Sequence, residues 1–276
     1  MKTPFEVEWL GGAAEHYFRK MRPSVDELPW GTLDTTKFSP SAVELARTAW
    51  TEVAINEYRA VASFGEVVRA VADARAPLDL IAMASDFVGD ECSHVEMASR
   101  LAMELGGAVE RLVDVEYFTP RPRGLTALQR ASELVLRISC IEEAFSGGTA
   151  AVSLQATTHP LALAVYETIL RDESHHRRLG GLYFEWALPR LDEAELSRLG
   201  RVLLRTLEDI KFFWKPDARV RRARLPASDA ADLRALGWLE PVRFAEIARE
   251  VVVRDILDPL ATIGICISDE ERDQIL

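Results

Sequence analysis

Proline spacing constrains this chain more than any other feature of its sequence, because a helix readily accepts proline only in its first turn. The stretch 40–120 has a single internal proline, Pro77, and the stretch 122–189 has a single internal proline, Pro160. Each stretch is long enough for two helices. The spacing therefore predicts two helical hairpins, one turning near Pro77 and the other near Pro160.

Capping residues indicate where these helices begin and end. Ser39 with Pro40 is typical of a helix start, and Gly106-Gly107 is typical of a helix end. The predicted helices cover 40–75, 77–105, 126–157 and 160–188, followed by 192–214, 228–236 and 241–257. We therefore predict an all-α fold in one domain, with an N-terminal arm over 1–39 that has one short helix, a four-helix bundle over 40–188, and flanking C-terminal helices over 189–276.

Composition and charge exclude several classes of protein. With 276 residues, of which 48% are hydrophobic, the chain can bury a full core. Its formal net charge of -11 disfavours nucleic acid as a partner. Three scattered cysteines are too few for a disulfide framework. Because no segment resembles a signal peptide or a membrane span, we expect a cytoplasmic protein that binds neither membrane nor nucleic acid.

Two short motifs of the form Asp-Glu-x-x-His lie on predicted helices and end at His94 and His176. Side chains three residues apart share one face of a helix, so Glu91 with His94, and Glu173 with His176, can each hold one metal ion. A helical projection at about 100° per residue places both glutamates in the apolar stripes of their helices. His175 points away from that stripe and is predicted either to be exposed or to support a ligand from outside the ligand set.

Two further carboxylates are predicted to point inward from the remaining core helices. Glu57 shares the apolar face of the first helix, and Glu142 shares that of the third, whereas Glu143 is rotated toward the surface. Counted from the hairpin turns, the four inward glutamates lie at similar heights, so they converge with the two histidines at mid-bundle. Buried carboxylates are costly unless they are paired, protonated or bound to metal.

Charge balance favours a centre with two metal ions, because four carboxylates and two divalent ions neutralise each other. Carboxylate and imidazole ligands suit iron or manganese. Two iron ions are the preferred cofactor, and Mn/Fe and Mn/Mn pairs stay open. The alternative reading of these residues is a bundle with buried acid-histidine pairs and no metal.

This order of Glu, Glu-x-x-His, Glu and Glu-x-x-His resembles the ferritin-like di-iron carboxylate superfamily over residues 40–188. The Asp-Glu-x-x-His form is similar to that of its oxygen-activating branch. The resemblance implies a ferritin-like four-helix bundle in which Asp90 and Asp172 hold the ligand imidazoles of the opposite hairpin. The metal ligands that it implies are Glu57, Glu91, His94, Glu142, Glu173 and His176.

Three positions differ from the functional residues of particular superfamily members, and these differences exclude some activities from those expected. Ala98 stands where the ribonucleotide reductase small subunit has its radical tyrosine. Phe145 stands in place of the extra glutamate of rubrerythrins, and Ile169 in place of the additional histidine of arylamine N-oxygenases. A stable tyrosyl radical, peroxidase activity of the rubrerythrin type and arylamine-type chemistry are therefore not expected.

Hydroxyl and basic side chains add two expectations. Ser146 and Thr149 follow Glu142 on the third helix, where either hydroxyl could relay protons in catalysis; the alternative is that each bonds the preceding helical turn. A cluster of arginines could dock an acidic electron-transfer partner, although such runs are more often solvated loops. The cluster comprises Arg219, Arg221, Arg222 and Arg224.

The function expected from the sequence is that of a di-iron-dependent oxidoreductase, an oxidase or monooxygenase. It would use O2 to oxidise a small organic substrate by hydroxylation, N-oxygenation or oxidative cleavage. Such an enzyme needs a reductase or another electron-transfer partner, and a homodimer is left open. The alternative is a ferritin-like ferroxidase or peroxide-scavenging iron protein without an organic substrate.

Overall fold

The computed structural model describes residues 2–118, 123–216 and 225–276, and these residues are mostly helical. The helices are α1 (Gly12–Met21), α2 (Pro40–Asp73), α3 (Leu78–Glu104), α4 (Ala127–Val135), α5 (Glu143–Ala156), α6 (Pro160–Ala187), α7 (Glu193–Ile210), α8 (Ala227–Ala235), α9 (Pro241–Val251), α10 (Asp258–Thr262) and α11 (Asp269–Ile275). Two π-helical segments, Leu136–Glu142 and Val252–Leu257, join α4 to α5 and α9 to α10. Within the described ranges, no helix is long and apolar enough to span a membrane.

The remaining regular structure consists of short pieces. Two strands of two residues each, β1 (Thr3–Pro4) and β2 (Leu112–Val113), pair in antiparallel orientation. The 3-10 helices cover Pro23–Val25, Thr35–Lys37, Val115–Tyr117, Leu188–Arg190 and Lys211–Phe213. The strand pair links the start of the chain to the connection that follows α3.

Local capping sets the helix ends that the sequence predicts. At the start of α2, the Ser39 side chain accepts a hydrogen bond from the backbone N–H of Ala42, and Pro40 occupies the first turn. At the start of α4, Thr126 and Gln129 form a reciprocal capping box. Helices α2, α3 and α6 begin and end within two residues of their predicted positions. Proline and capping signals therefore locate these helices well.

Long helical stretches pack side by side around the centre of the molecule. Helix α2 contacts α3, α3 contacts α6, α6 contacts both α4 and α5, and α4 contacts α2. One buried hydrophobic cluster continues from these helices into α7, α9 and α11, and includes Phe64, Leu134, Leu203, Val251 and Ile275. The C-terminal helices therefore share a core with the helices that precede them.

The segment before α2 lies against the outer face of α3. It contains one short α-helix, α1, as the sequence predicts. The guanidinium of Arg19 lies 2.5 Å from the carboxylate of the buried Glu96, and that of Arg100 lies 4.2 Å from the ring centroid of Trp30. Ionic and cation–π contacts thus fix the arm to α3.

The third predicted helix, 126–157, is not one continuous α-helix. It is α-helical at its two ends, and the segment Leu136–Glu142 between them is π-helical. A π-helical insertion adds one residue to a turn, so the side chains after it are rotated by about 100° relative to a continuous α-helix. Each side chain of α5 therefore points in the direction that the helical projection assigns to the neighbouring residue in the sequence.

Candidate metal centre

Four glutamates and two histidines from α2, α3, α5 and α6 meet between these helices. They form two overlapping groups, and within each group one ligand atom per residue lies within 4.8 Å of all the others. The first group contains Glu57, Glu91, His94 and Glu173, and the second contains Glu91, Glu143, Glu173 and His176. Because two carboxylates belong to both groups, the six residues form one cluster that could hold metal.

His94 turns one ring nitrogen toward the carboxylates and the other away from them. Its Nδ1 lies 3.6 Å from both Glu57 and Glu91 and 3.5 Å from Glu173. Its Nε2 lies 3.4 Å from Oδ2 of Asp172, which comes from the opposite hairpin. The aspartate fixes the orientation of the ring and leaves Nδ1 available as a ligand.

His176 repeats this arrangement from the other hairpin. Its Nδ1 lies 3.0 Å from Oε1 of Glu91 and 3.5 Å from Oε2 of Glu143. Its Nε2 lies 3.4 Å from Oδ2 of Asp90. The structure therefore pairs each of these aspartates with the imidazole of the opposite hairpin, as the resemblance implies.

The polar atoms at the centre of the cluster lack hydrogen-bond partners. Both carboxylate oxygens of Glu91, Oε2 of Glu173 and Nδ1 of each histidine are inaccessible to solvent and form no hydrogen bond within the described residues. Buried polar atoms are nearly always paired, so this group needs an explanation. Carboxylate oxygens and imidazole nitrogens are common metal ligands, and the donor set fits a metal that prefers oxygen and nitrogen.

Burial acts to raise the pKa values of Glu57, Glu91 and Glu173. It raises the pKa of Glu57 to about 8, against the opposing effect of His94. Burial and the nearby charge of Glu143 raise the pKa of Glu173 well above its usual value. Burial also acts to raise the pKa of Glu91, but contacts with the two histidines outweigh it and lower that pKa.

The histidines are held in their protonated form by Asp172 and Asp90 first, and by the nearby glutamates second. Burial acts to lower both pKa values, but hydrogen bonds and charge from the surrounding acids raise the pKa of His94 well above its usual value and that of His176 to about 12. Without metal, the cluster therefore retains protons at neutral pH. A metal ion must displace them, so metal binding is favoured as the pH rises.

The structure places Glu143 in the cluster in place of the predicted ligand Glu142. The π-helical segment ends at Glu142, and the added residue rotates Glu143 inward to within 3.5 Å of Nδ1 of His176. Glu142 is turned outward, where it is 22% exposed and lies 2.9 Å from the guanidinium of Arg59. The prediction that Glu143 faces the surface is therefore wrong, and the offset of one residue explains the error.

A cavity of about 820 Å³ borders the cluster. Its wall includes the carboxylates of Glu57, Glu143 and Glu173, together with residues of α2, the π-helical segment and α5. A molecule in this cavity would lie directly against the candidate metal ligands. On the opposite side, Glu91, His94 and His176 are completely buried.

The two predicted proton-relay residues also line this cavity. The hydroxyl of Thr149 lies 2.9 Å from the carbonyl oxygen of Phe145 and donates back to its own helix, while Ser146 is exposed. A catalytic role for either hydroxyl stays a prediction. The predicted docking cluster, Arg219, Arg221, Arg222 and Arg224, lies outside the described residues.

Sequence reasoning missed one side chain next to the cluster, Arg22 of the N-terminal arm. Its guanidinium lies 2.9 Å from Oδ1 of Asp90 and 3.0 Å from Oδ1 of Asp86. A Cβ atom on Gly89 would lie only 2.7 Å from Nη2 of Arg22, so glycine leaves the room that the guanidinium occupies. Because Asp90 holds His176, Arg22 fixes the partner of a cluster histidine. The sequence signal that could have revealed it is Gly89, a glycine inside a helix beside the motif.

Comparison with known proteins does not assign this chain to a family. No family model matches it, and searches of curated proteins and of solved structures find no significant match. The class of the site is therefore defined by its own geometry, a buried cluster of carboxylates and imidazoles that could hold metal.

Proposed function

We propose that this chain is a ferritin-like, non-haem di-iron oxidase or oxygenase that uses O2 to oxidise a small organic substrate. One observation carries the proposal: two overlapping metal-binding groups, which share Glu91 and Glu173, border a cavity large enough for an organic molecule. Oxidation of iron alone would not need such a cavity. The packing of α2, α3, α4–α5 and α6 around the cluster supports the four-helix bundle of that superfamily.

The donor set supports iron as the metal. It contains carboxylates and imidazoles but no thiolate, whereas structural zinc sites have four ligands and favour sulfur. Manganese accepts the same donor atoms, so Mn/Fe and Mn/Mn pairs remain alternatives. When bound, two iron ions would supply the electrons and the Lewis acidity that the reduction of O2 requires.

The protein's own side chains position the metals and control access to them. Glu57 and His94 would hold one ion, Glu143 and His176 the other, and Glu91 and Glu173 both. Asp90 and Asp172 keep the two Nδ1 atoms turned inward. Because both histidines are completely buried, water and substrate would reach the ligands from the cavity side, where Glu57 is 9% exposed. A bound substrate would exclude that water from the reaction.

Metal uptake tests the proposal directly. Iron-free protein loaded anaerobically with Fe(II) should take up about two equivalents per chain, the stoichiometry of paired Glu-x-x-His sites. His176→Ala should bind markedly less iron. His175→Ala is the matched control, because His175 is the exposed neighbour of the buried His176. Equal iron content in these two variants would contradict a metal centre at this cluster.

Consumption of O2 distinguishes the proposed activity from iron oxidation alone. The loaded protein should consume O2 repeatedly with a reductant, and a compound from an organic-substrate screen should be oxidised in parallel. Consumption that ends after the bound iron has been oxidised once, with no compound transformed, would instead support the ferroxidase alternative.

A further inference from the structure

The cavity beside the cluster is elongated along the helices. On α2 its lining residues run from Trp50 to Ser63, and on the third helical stretch they run from Arg137 to Ser153. At a rise of about 1.5 Å per residue, each of these stretches spans about 20 Å. The cavity is therefore much longer than a site for O2 alone requires.

The candidate metal ligands lie near the middle of this length. Glu57 follows Trp50 by seven residues and precedes Ser63 by six. Glu143 also lies between the two ends of its stretch, Arg137 and Ser153. Cavity space thus extends for about 10 Å on each side of Glu57 along α2.

Apolar side chains line the cavity on both sides of the carboxylates. At one end the ring of Trp50 lies 5.0 Å from that of Tyr166 and 5.5 Å from that of Trp238. Near the middle, the ring of Phe213 lies 5.2 Å from that of Phe145, which follows Glu143 by two residues. Toward Ser63 the lining is aliphatic, with Ala60 and Ile138. These walls favour apolar groups on both sides of the carboxylates.

Several polar atoms in the deep wall already have partners within the protein. The indole N–H of Trp50 donates to the carbonyl oxygen of Leu236 at 3.1 Å, and the Tyr166 hydroxyl donates to that of Gly237 at 2.8 Å. The Thr206 hydroxyl donates to its own helix. Among the described lining residues outside the cluster, the buried polar atoms without a hydrogen bond are the Ser63 hydroxyl, the Trp238 indole N–H and Nε of Arg137. The deep wall thus offers a ligand few hydrogen bonds.

Charged side chains lie at the exposed side of the cavity and partly neutralise one another. Arg59 on α2 and Glu142 in the π-helical segment are 37% and 22% exposed and form an ion pair at 2.9 Å. The exposed side chains of Glu116, Arg123 and Asp209 complete this rim. With both signs present, the rim does not select one ligand charge.

We infer that the cavity binds an elongated, mainly apolar molecule that lies along the helices, with an internal segment rather than an end beside Glu57 and Glu143. The inference rests on the proposed function, because it names the substrate class of that same site. It follows from the length of the cavity, the apolar lining on both sides of the carboxylates and the central position of Glu57.

Calorimetric titration with linear alcohols tests this binding in the iron-loaded, air-oxidised protein. Across n-butanol, n-hexanol and n-octanol, affinity should rise about fourfold per methylene, as expected for burial of a growing apolar chain. Octanediol, of equal length but with a second hydroxyl, should bind about tenfold more weakly than n-octanol. Equal affinity across the series would overturn the inference.

Two variants test whether the bound chain extends to both sides of the carboxylates. Ala150→Trp fills the side of the cavity toward Trp50, and Ala60→Trp fills the side toward Ser63. In each variant, n-octanol should therefore bind no more tightly than n-hexanol. Gln155→Trp is the matched control, because Gln155 is exposed on the same helix as Ala150 and does not line the cavity. Thermal melts confirm that each variant is folded. If the affinity of both cavity variants rises with alcohol chain length as steeply as that of the wild type, the inference is overturned.

The same titration in iron-free protein separates this inference from the proposed function. Binding that depends on chain length, in a protein that takes up no iron, would overturn the di-iron function and support the apolar cavity. Uptake of iron and consumption of O2, without any dependence of binding on chain length, would overturn the inference about the substrate and leave the function in place.

Discussion

Glu91 is the most constrained side chain of the cluster. It is completely buried and lies 3.0 Å from His176 and 3.6 Å from His94. A carboxylate between two imidazoles can contribute to both metal positions, whereas Glu57 and Glu143 each belong to one group. The buried glutamates are therefore not equivalent, and replacing them should have different consequences.

Glu91→Ala is expected to abolish the binding of both ions, while Glu57→Ala is expected to retain about one equivalent of iron per chain. The physical reason is that Glu91 belongs to both groups and Glu57 to one. Iron content after anaerobic loading and desalting measures the difference. Equal iron content in the two variants would show that Glu91 is not shared.

Arg22→Gln is expected to weaken metal binding by about tenfold, because side chains that orient a ligating histidine through its partner have effects of this size. Cobalt(II) titration, followed by absorbance, measures the affinity. Gly89→Ala should reproduce the effect, since its added Cβ atom would displace the Arg22 guanidinium.

Arg19→Gln is the matched control for Arg22→Gln. Arg19 belongs to the same arm but contacts Glu96, which is not part of the cluster. If the two variants bind cobalt with the same affinity, the arm supports the fold without positioning His176.

The π-helical segment Leu136–Glu142 determines which glutamate of the third helical stretch enters the cluster. Local sequence does not reveal it, because the residues of the segment suit an ordinary α-helix. The insertion is supported by contacts with distant parts of the chain, namely Glu143 with His176 and Glu142 with Arg59. Such contacts are not visible in a helical projection of a single sequence.

Residues on regular helices were predictable from their spacing. Glu91, His94, Glu173 and His176 lie on α3 and α6, whose uninterrupted period of 3.6 residues makes the projection valid. Glu57 lies on α2, where the same holds. Arg22 could not be placed, because the path of the arm depends on tertiary contacts rather than on periodicity.

Replacing Glu142 and Glu143 one at a time tests whether the π-helical segment shifts the inward-facing position by one residue. Glu143→Gln is expected to reduce iron uptake to about one equivalent, while Glu142→Gln should retain about two, because only Glu143 points into the cluster. Iron content and thermal melts of both variants provide the measurement. The opposite order would mean that α5 continues α4 without an added residue.

At the scale of the whole molecule, the cluster links metal binding to folding. Only the folded chain brings together ligands that are far apart in sequence, so metal binding adds to the free energy of unfolding. Without metal, burial leaves Glu57 and Glu173 with raised pKa values. The stability of the metal-free protein should therefore depend on pH.

The metal-free protein is expected to lose stability as the pH rises from about 4.5 to about 8, the ordinary and folded-state pKa values of Glu57. A group whose pKa is raised by folding stabilises the fold below its unfolded pKa, and this contribution is lost as the pH passes the folded pKa. Thermal melts at about pH 5 and about pH 8 should differ by several degrees. Glu57→Gln, which cannot ionise, should show a smaller difference, and Fe(II) should raise the melting temperature more at the higher pH. A wild-type melting temperature independent of pH would contradict the raised pKa.

Each metal-binding group takes ligands from both hairpins, since Glu173 joins the group of His94, and Glu91 joins the group of His176. Neither hairpin has a complete ligand set by itself. During synthesis, the chain must therefore emerge from the ribosome as far as His176 before either ion can be held by its full set. In the proposed di-iron protein, iron would therefore enter only after both hairpins have assembled, and cleavage between the hairpins followed by their separation would release both ions together.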